Sequence, residues 1–372
     1  MKRVLIPLLL MCVALMTSCS KKPAVITTGA VATQHDTKFG GIYVCKSVEE
    51  LDKLGIRLGD AIDVELSTGD KFENIPYYDG YYCNVGEVLL CAYPGYPYPS
   101  LCMNFGDRLY ESYGLDKDST AVITLRERGA YLPIQNAMSM VYSNAREDFD
   151  SDSEFANFRA LRGGALKEGL LYRGASPCND CYSRASCVSA LCEENGVTYF
   201  IDLADSEAEL EEFYSSETNC PYWRSLYDSG NVLTLDLAAN YKDEAFIQKI
   251  AQTCRVLTQV QGPFYIHCTE GKDRTGFVCI LLEALAGAST EEITEDYMAS
   301  YANYFDLTPE SDSEKYEAVR ALRLDSQLIY LGGTDDAASL TPEQLTAGAR
   351  DYLARGGMTE AEIDALVAAI TK

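Results

Sequence analysis

Residues 262–276 read GPFYIHCTEGKDRTG, and the fold can be worked outward from this stretch. Phe264, Tyr265, Ile266 and His267 make a short apolar run that fits a buried strand. From Thr275 to Leu285 the chain is again largely apolar, now over a helical length. Strand, tight loop and helix therefore follow one another directly. The loop holds a cysteine, five residues and an arginine, Cys268 to Arg274. Cys102–Arg108 and Cys178–Arg184 share that spacing, but neither follows an apolar strand, and Leu109 or Ala185 comes next. Only Cys268–Arg274 has a strand before it and Thr275-Gly276 after it. Context selects one of the three.

A loop of this length can curl so that successive backbone N–H groups point inward, an anion nest ending on a helix N-terminus. Gly271 gives the backbone freedom such a curl needs. The same positive potential favours a thiolate, so Cys268 is expected to ionise well below the free value of about 8.5. Arg274 can grip two oxyanion oxygens in a fork, which lysine cannot reproduce. Thr269, Glu270, Gly271, Lys272 and Gly276 complete the expected cradle. The chemistry indicated is in-line attack of Cys268 on phosphorus, with the nest and Arg274 on the equatorial oxygens. Thr275 Oγ is placed to donate to the departing sulfur. His267 is expected to brace the loop through hydrogen bonds rather than to move protons. Two carboxylates compete as general acid: Asp273 in the loop and Asp236 in LTLDLAANY (233–241) upstream. The reaction requires no cofactor and no metal.

The rest of the chain divides into two patterns. From Gly40 to about Leu132 it is rich in Tyr and Gly, with short β-prone runs at 61–66, 87–92 and 121–125. Turn signals separate them, which predicts a small β-barrel or sandwich over 39–137. From 138 to 372 strand-like runs alternate with amphipathic helices, the pattern of an α/β domain with a central sheet flanked by helices. Residues 197–203 (VTYFIDL) fit a buried strand. A helix is expected over 243–260, with Phe246, Ile250, Cys254 and Leu257 on its apolar face. Ser289 with Glu292 and Thr359 with Glu362 fit the capping box at two further helix starts.

The N-terminus bears on location. Lys2 and Arg3 precede an apolar run at 4–16, too short for the roughly 20 residues that span a bilayer. It ends in Leu15-Met16-Thr17-Ser18-Cys19, which resembles a bacterial lipobox. A signal peptide over 1–18, lipidation of Cys19, a tether over 19–38 and membrane attachment outside the cytoplasm are the expectations. The net charge of −25 argues against nucleic acid as a partner and demands that any phosphate site be a local cradle. With two histidines, His35 and His267, histidine-rich metal sites are excluded. Cys178, Cys181, Cys187 and Cys192 crowd together, which fits disulfides, a zinc site or buried thiols.

HCTEGKDRTG resembles the signature of the bacterial atypical tyrosine and lipid phosphatases, which carry lysine and aspartate before the arginine. Pieces in that family's order flank it: Asn157-Phe158-Arg159 with Gly163-Gly164, Leu171-Tyr172-Arg173-Gly174, Ile201-Asp202-Leu203, and Asp296-Tyr297-Met298-Ala299-Ser300. The resemblance runs from about Ser139 to the C-terminus and implies a cysteine-phosphatase fold acting on phosphotyrosine proteins or phosphoinositides. It implies Asp273 as the acid and associates Lys272 with phosphoinositide recognition. One departure stands out. Where the family often has arginine after Asp-Leu, this chain has Ala204 and Asp205. Residues 83–125 resemble the β-barrel domain of S-adenosylmethionine hydrolases and fluorinases, which implies an accessory module and no activity. A phytase-like inositol phosphate phosphatase, a non-catalytic phosphate-binding lipoprotein and an arsenate reductase are the competing readings of the loop.

Overall fold

The computed structural model describes residues 25–372; the expected signal peptide and Cys19 lie outside the described residues. Seven strands form a closed barrel: β1 (Thr27–His35), β2 (Ile42–Val44), β3 (Ala61–Leu66), β4 (Lys71–Tyr78), β5 (Val88–Cys91), β6 (Ser100–Met103) and β7 (Thr120–Glu127). Their order is β1-β2-β6-β5-β4-β3-β7, and β1 closes the ring by pairing with both β2 and β7. Closure leaves no unpaired edge. Inside, Ile42, Val44, Ile62, Val64, Leu90, Leu101 and Ile123 form a separate apolar core.

This corrects the expected tether. Residues 27–35 are a barrel strand, although TTGAVATQH shows no clear alternation of large apolar and polar residues. Only Val31 and Thr33 are buried in it, so small side chains conceal the period. Helix Leu132–Met138 joins the two units: Ala137 and Met138 enter the larger core, while Gln135 Oε1 accepts from the Asp79 N–H of the barrel at 3.1 Å.

The second unit is built on a five-stranded sheet: β8 (Arg159–Ala160), β9 (Leu171–Gly174), β10 (Tyr199–Asp202), β11 (Val232–Thr234) and β12 (Phe264–His267). The order is β11-β10-β12-β9-β8, parallel except for β8 against β9. The central strand β12 is buried at all four positions, as its continuous apolar run implies. Helix α1 (Glu244–Gln259) starts where Asp243 accepts from the N–H groups of Ala245 and Phe246. It buries Phe246, Ile250, Cys254 and Leu257 against the sheet, each such side chain contributing about 1.5–3 kcal/mol. Helix α2 (Asp273–Leu285) is buried from Thr275 onward, which explains why it is apolar all round. Helix α3 (Thr290–Phe305) begins with the Ser289–Glu292 capping box.

Register places the site. Gly174, His267 and Asp202 are direct neighbours at the carboxyl ends of β9, β12 and β10. In open parallel sheets, ligands bind at that edge. The Cys268–Arg274 loop leaves β12 there.

Candidate active site

The loop is shaped from outside. Ser176 N–H donates to the Thr269 carbonyl at 3.2 Å. Asn157 Nδ2 donates to the Glu270 carbonyl at 3.1 Å and the Gly271 carbonyl at 3.3 Å. Tyr304 O–H holds the Glu270 carbonyl at 2.7 Å, and Arg173 Nη2 holds that of Gly271 at 2.8 Å. In a trans peptide the N–H points opposite to the C=O. Three consecutive carbonyls pulled outward therefore turn the N–H groups of Glu270, Gly271 and Lys272 toward the concave side. That is an anion nest. Gly271 has φ +70°, and a Cβ there would lie 2.0 Å from the Gly174 carbonyl oxygen. No other residue fits so close an approach.

The outer donors are themselves held. Asp296 pairs with Arg159 at 2.8 Å and with Arg173. Ser300 Oγ accepts from Asn157 and Arg159, each at 3.1 Å. Asp296, Ser300 and Tyr304 recur every fourth residue on α3, so one helix face braces the loop. Burial alone would raise the Asp296 carboxyl, but the Arg159 and Arg173 guanidiniums hold it below the usual carboxylate range.

Cys268 is nearly covered, at 3% exposure. Arg274 Nη2 donates to Thr269 Oγ1 at 3.1 Å and Nη1 to the Leu237 carbonyl at 3.0 Å. Among the described residues no carboxylate pairs with it, so its charge is free for an anion. Thr275 Oγ1 is buried and, among the described residues, has no hydrogen-bond partner, so the expected donation to the Cys268 sulfur is not made in this structure. Glu270 accepts from the Tyr142 hydroxyl and lies 3.4 Å from Lys272 Nζ. Burial opposes the charge on Lys272, but Asp273 and Glu270 more than offset this and raise its pKa. Its ammonium lies over the rings of Phe305 and Tyr301.

Three sequence expectations change. Gly276 gives its N–H to the Lys272 carbonyl within α2, and a Cβ on it would meet Tyr297 at 2.5 Å; it packs and does not cradle. His267 is fully buried, yet neither ring nitrogen has a hydrogen-bond partner, so it braces the loop by stacking on Tyr265. The four crowded cysteines do not converge as ligands. Cys181 is exposed, all the cysteines from Cys45 to Cys279 are free thiols, and Cys178 instead lies beside Asp202 and Asp205.

The two candidate acids separate. Asp273 is half exposed and, with Arg274, lines a cavity of about 560 Å³ between the barrel and the sheet domain. Asp236, held at φ +46°, opens instead on a shallower hollow with Ser206, Glu211 and Lys249. Tyr81, Tyr82 and Tyr93 of the barrel and Tyr241 wall the cavity. Arg323, on the π-helical turn Ala321–Asp325, also lines it and reaches the Tyr81 carbonyl at 3.4 Å. None of these wall residues was singled out in the sequence, because the barrel's approach to the loop is a tertiary fact. The richness in Tyr between Gly40 and about Leu132 was the visible signal.

The rival Cys178–Arg184 spacing is structural. Arg184 is buried and spends its donors on the carbonyls of Phe155, Ser143 and Tyr182 and on Asn144.

A parallel sheet whose central strand ends in a nested cysteine–arginine loop and a buried helix defines the cysteine-dependent phosphatase class. Residues 153–372 match the tyrosine phosphatase family, and the chain belongs to it. A tyrosine-protein phosphatase of Nostoc commune is 30% identical over 192 residues, an alignment covering 46% of this chain and 65% of that relative. The chain thus spans less than two thirds of that relative's length. The core catalytic domain of the PP-IP phosphatase SIW14 from S. cerevisiae, solved with citrate, aligns at 17% identity with a TM-score of 0.27. That alignment covers 48% of this chain and 91% of the other.

Proposed function

We propose that this protein hydrolyses phosphate monoesters through a phosphocysteine on Cys268, with phosphotyrosine as the preferred substrate. The observation that carries the reading is the loop whose three carbonyls are anchored outward while Arg274, among the described residues, pairs with no carboxylate. The Cys268 thiolate attacks phosphorus, and the ester oxygen leaves with a proton from Asp273. Glu270, Gly271 and Lys272 N–H groups and Arg274 hold the equatorial oxygens. Water then attacks the thiophosphate, releasing phosphate and returning the thiolate.

The cavity favours an aromatic ester. Four tyrosines flank its approach to Arg274, and ring-on-ring contacts add about 0.5–1.5 kcal/mol each beyond area burial. Its cations are Arg274 and Arg323, set against Asp79 and Asp273. That balance suits one phosphoryl group better than the several of an inositol polyphosphate. Phosphoinositide activity stays as a second reading, since Lys272 stands beside the nest at the position associated with it.

Phosphate release from a phosphotyrosine peptide, a short-chain phosphoinositide and inositol hexakisphosphate tests the reading, each with wild type and Cys268→Ser. Turnover of the peptide, lost in the variant, is expected. Activity confined to the hexakisphosphate would assign the enzyme to the phytase-like class, and analogue binding without turnover would make the loop a recognition device. We also propose export and lipid anchoring at Cys19, supported by the apolar run that stops there. Cys19→Ala should move the protein from the membrane fraction to the soluble one; unchanged fractionation would contradict the anchor.

A further inference from the structure

We propose that Cys178, Asp202 and Asp205 form a binding site for a divalent cation of the zinc class, beside the phosphate loop at the carboxyl edge of the sheet. The Cys178 sulfur and one carboxylate oxygen each of Asp202 and Asp205 lie within 4.8 Å of one another, all three residues buried. His267, fully buried on the neighbouring strand β12, places Nδ1 3.9 Å from Asp202 Oδ1 but lies outside this cluster. Sulfur and two carboxylates are three donors of kinds that zinc takes, leaving one position of a tetrahedral ion for water. Tetrahedral zinc sets its ligands roughly 3.5 Å apart, so closure asks for about 1 Å of side-chain movement.

Each carboxylate is oriented by a neighbour and keeps one oxygen without a partner among the described residues. Asp202 Oδ1 accepts from the N–H groups of Ala204 at 2.8 Å and Asp205 at 3.1 Å, while Oδ2 has no partner. Asp205 Oδ1 accepts from Asn179 Nδ2 at 3.2 Å, and its Oδ2 is likewise without a partner. Ser176 Oγ lies 3.5 Å from the Cys178 sulfur. Neither His267 nitrogen is hydrogen-bonded. Buried polar atoms are rarely left unpaired, and here the orphans gather at one place. Outer partners that fix ligands in this way are the usual setting of metal sites.

Charge points the same way. Among the described residues no lysine or arginine pairs with Asp202 or Asp205. A coordinated dication would balance the two buried carboxylates and would turn the Cys178 thiol into a thiolate. The competing arrangement is a proton shared between the two carboxylates.

The test uses the mature chain with Cys268→Ser, so that the nucleophile cannot take the metal. Zinc content after desalting is read by mass spectrometry. Zinc affinity is read by competition with a chromophoric indicator, and thermal midpoint with and without a chelator. One bound zinc is expected, with a lower midpoint on chelation and an affinity at least a hundredfold weaker after Cys178→Ser or Asp205→Asn. No bound zinc overturns the site, as does zinc held equally well by the parent and both variants. If the variants do not fold, stoichiometry and chelator sensitivity of the parent decide alone. A parent with no bound zinc and a midpoint indifferent to the chelator leaves the shared proton as the explanation.

Discussion

Arg173 Nη2 sits 2.8 Å from the carbonyl oxygen of Gly271, so a residue at the end of one strand fixes the peptide plane that aims the Lys272 N–H into the nest. Substrate binding is thus set by groups that never touch substrate. Asn157 does the same for two carbonyls.

Asn157→Ala removes both of those hydrogen bonds and the one to Ser300 while leaving Cys268 and Arg274 in place. Buried bonds of this kind are worth about 1 kcal/mol each, more when a partner group is left unpaired. The expected result is a fall of roughly ten- to a hundredfold in kcat/KM and weaker vanadate binding, with the circular dichroism spectrum unchanged. Undiminished vanadate affinity would mean that the loop holds its shape unaided.

Gly271→Ala meets both obstacles at once. A left-handed φ costs a non-glycine residue about 1–2 kcal/mol, and the new methyl would collide with the Gly174 carbonyl. Vanadate binding should be lost and the thermal midpoint should drop. A stable variant that still binds vanadate would contradict the close approach.

Asp273→Asn should lower turnover of a phosphotyrosine peptide by about a hundredfold or more, the usual scale of a lost general acid. The loss should shrink on an ester whose leaving group needs no proton. Asp236→Asn should leave both rates as they are. The reverse pattern would move the acid to Asp236.

Acid stability follows from Asp296. Its folded carboxyl lies below the unfolded value of about 3.9, so its ionisation contributes fully above that pH and is lost as pH falls through the lower folded value. Asp296→Asn strands Arg159 and Arg173 and should cost about 3–5 kcal/mol near neutrality. Denaturant unfolding should show that gap narrowing below about pH 4. A gap that stays constant from pH 7 to pH 3 would exclude this linkage.

Much of the sheet domain was legible in the sequence because its signals are local. Strand β12 covers Phe264–His267 as its apolar run predicts, and both capping boxes start helices. The motif pieces Asn157, Arg159, Arg173, Asp296 and Ser300 were visible, but their common task behind the loop needed the fold. Strand β1 was missed because its small residues hide the alternation and barrel closure, not propensity, makes it a strand. Tyr142 was missed because only the path of the linker brings its hydroxyl to Glu270. Gly276 looked like cradle by adjacency, yet helix geometry turns it onto Tyr297. The pairing of Asp202 with Asp205 could be read only as a departure from a motif.

The covalent intermediate is the most direct test. The enzyme would be mixed with a phosphotyrosine substrate, quenched within one turnover, digested and analysed by mass spectrometry. Phosphate on the peptide containing Cys268, absent when serine replaces that cysteine, is the predicted result. Full turnover with no phosphate on that peptide, and persisting in Cys268→Ser, would contradict the mechanism.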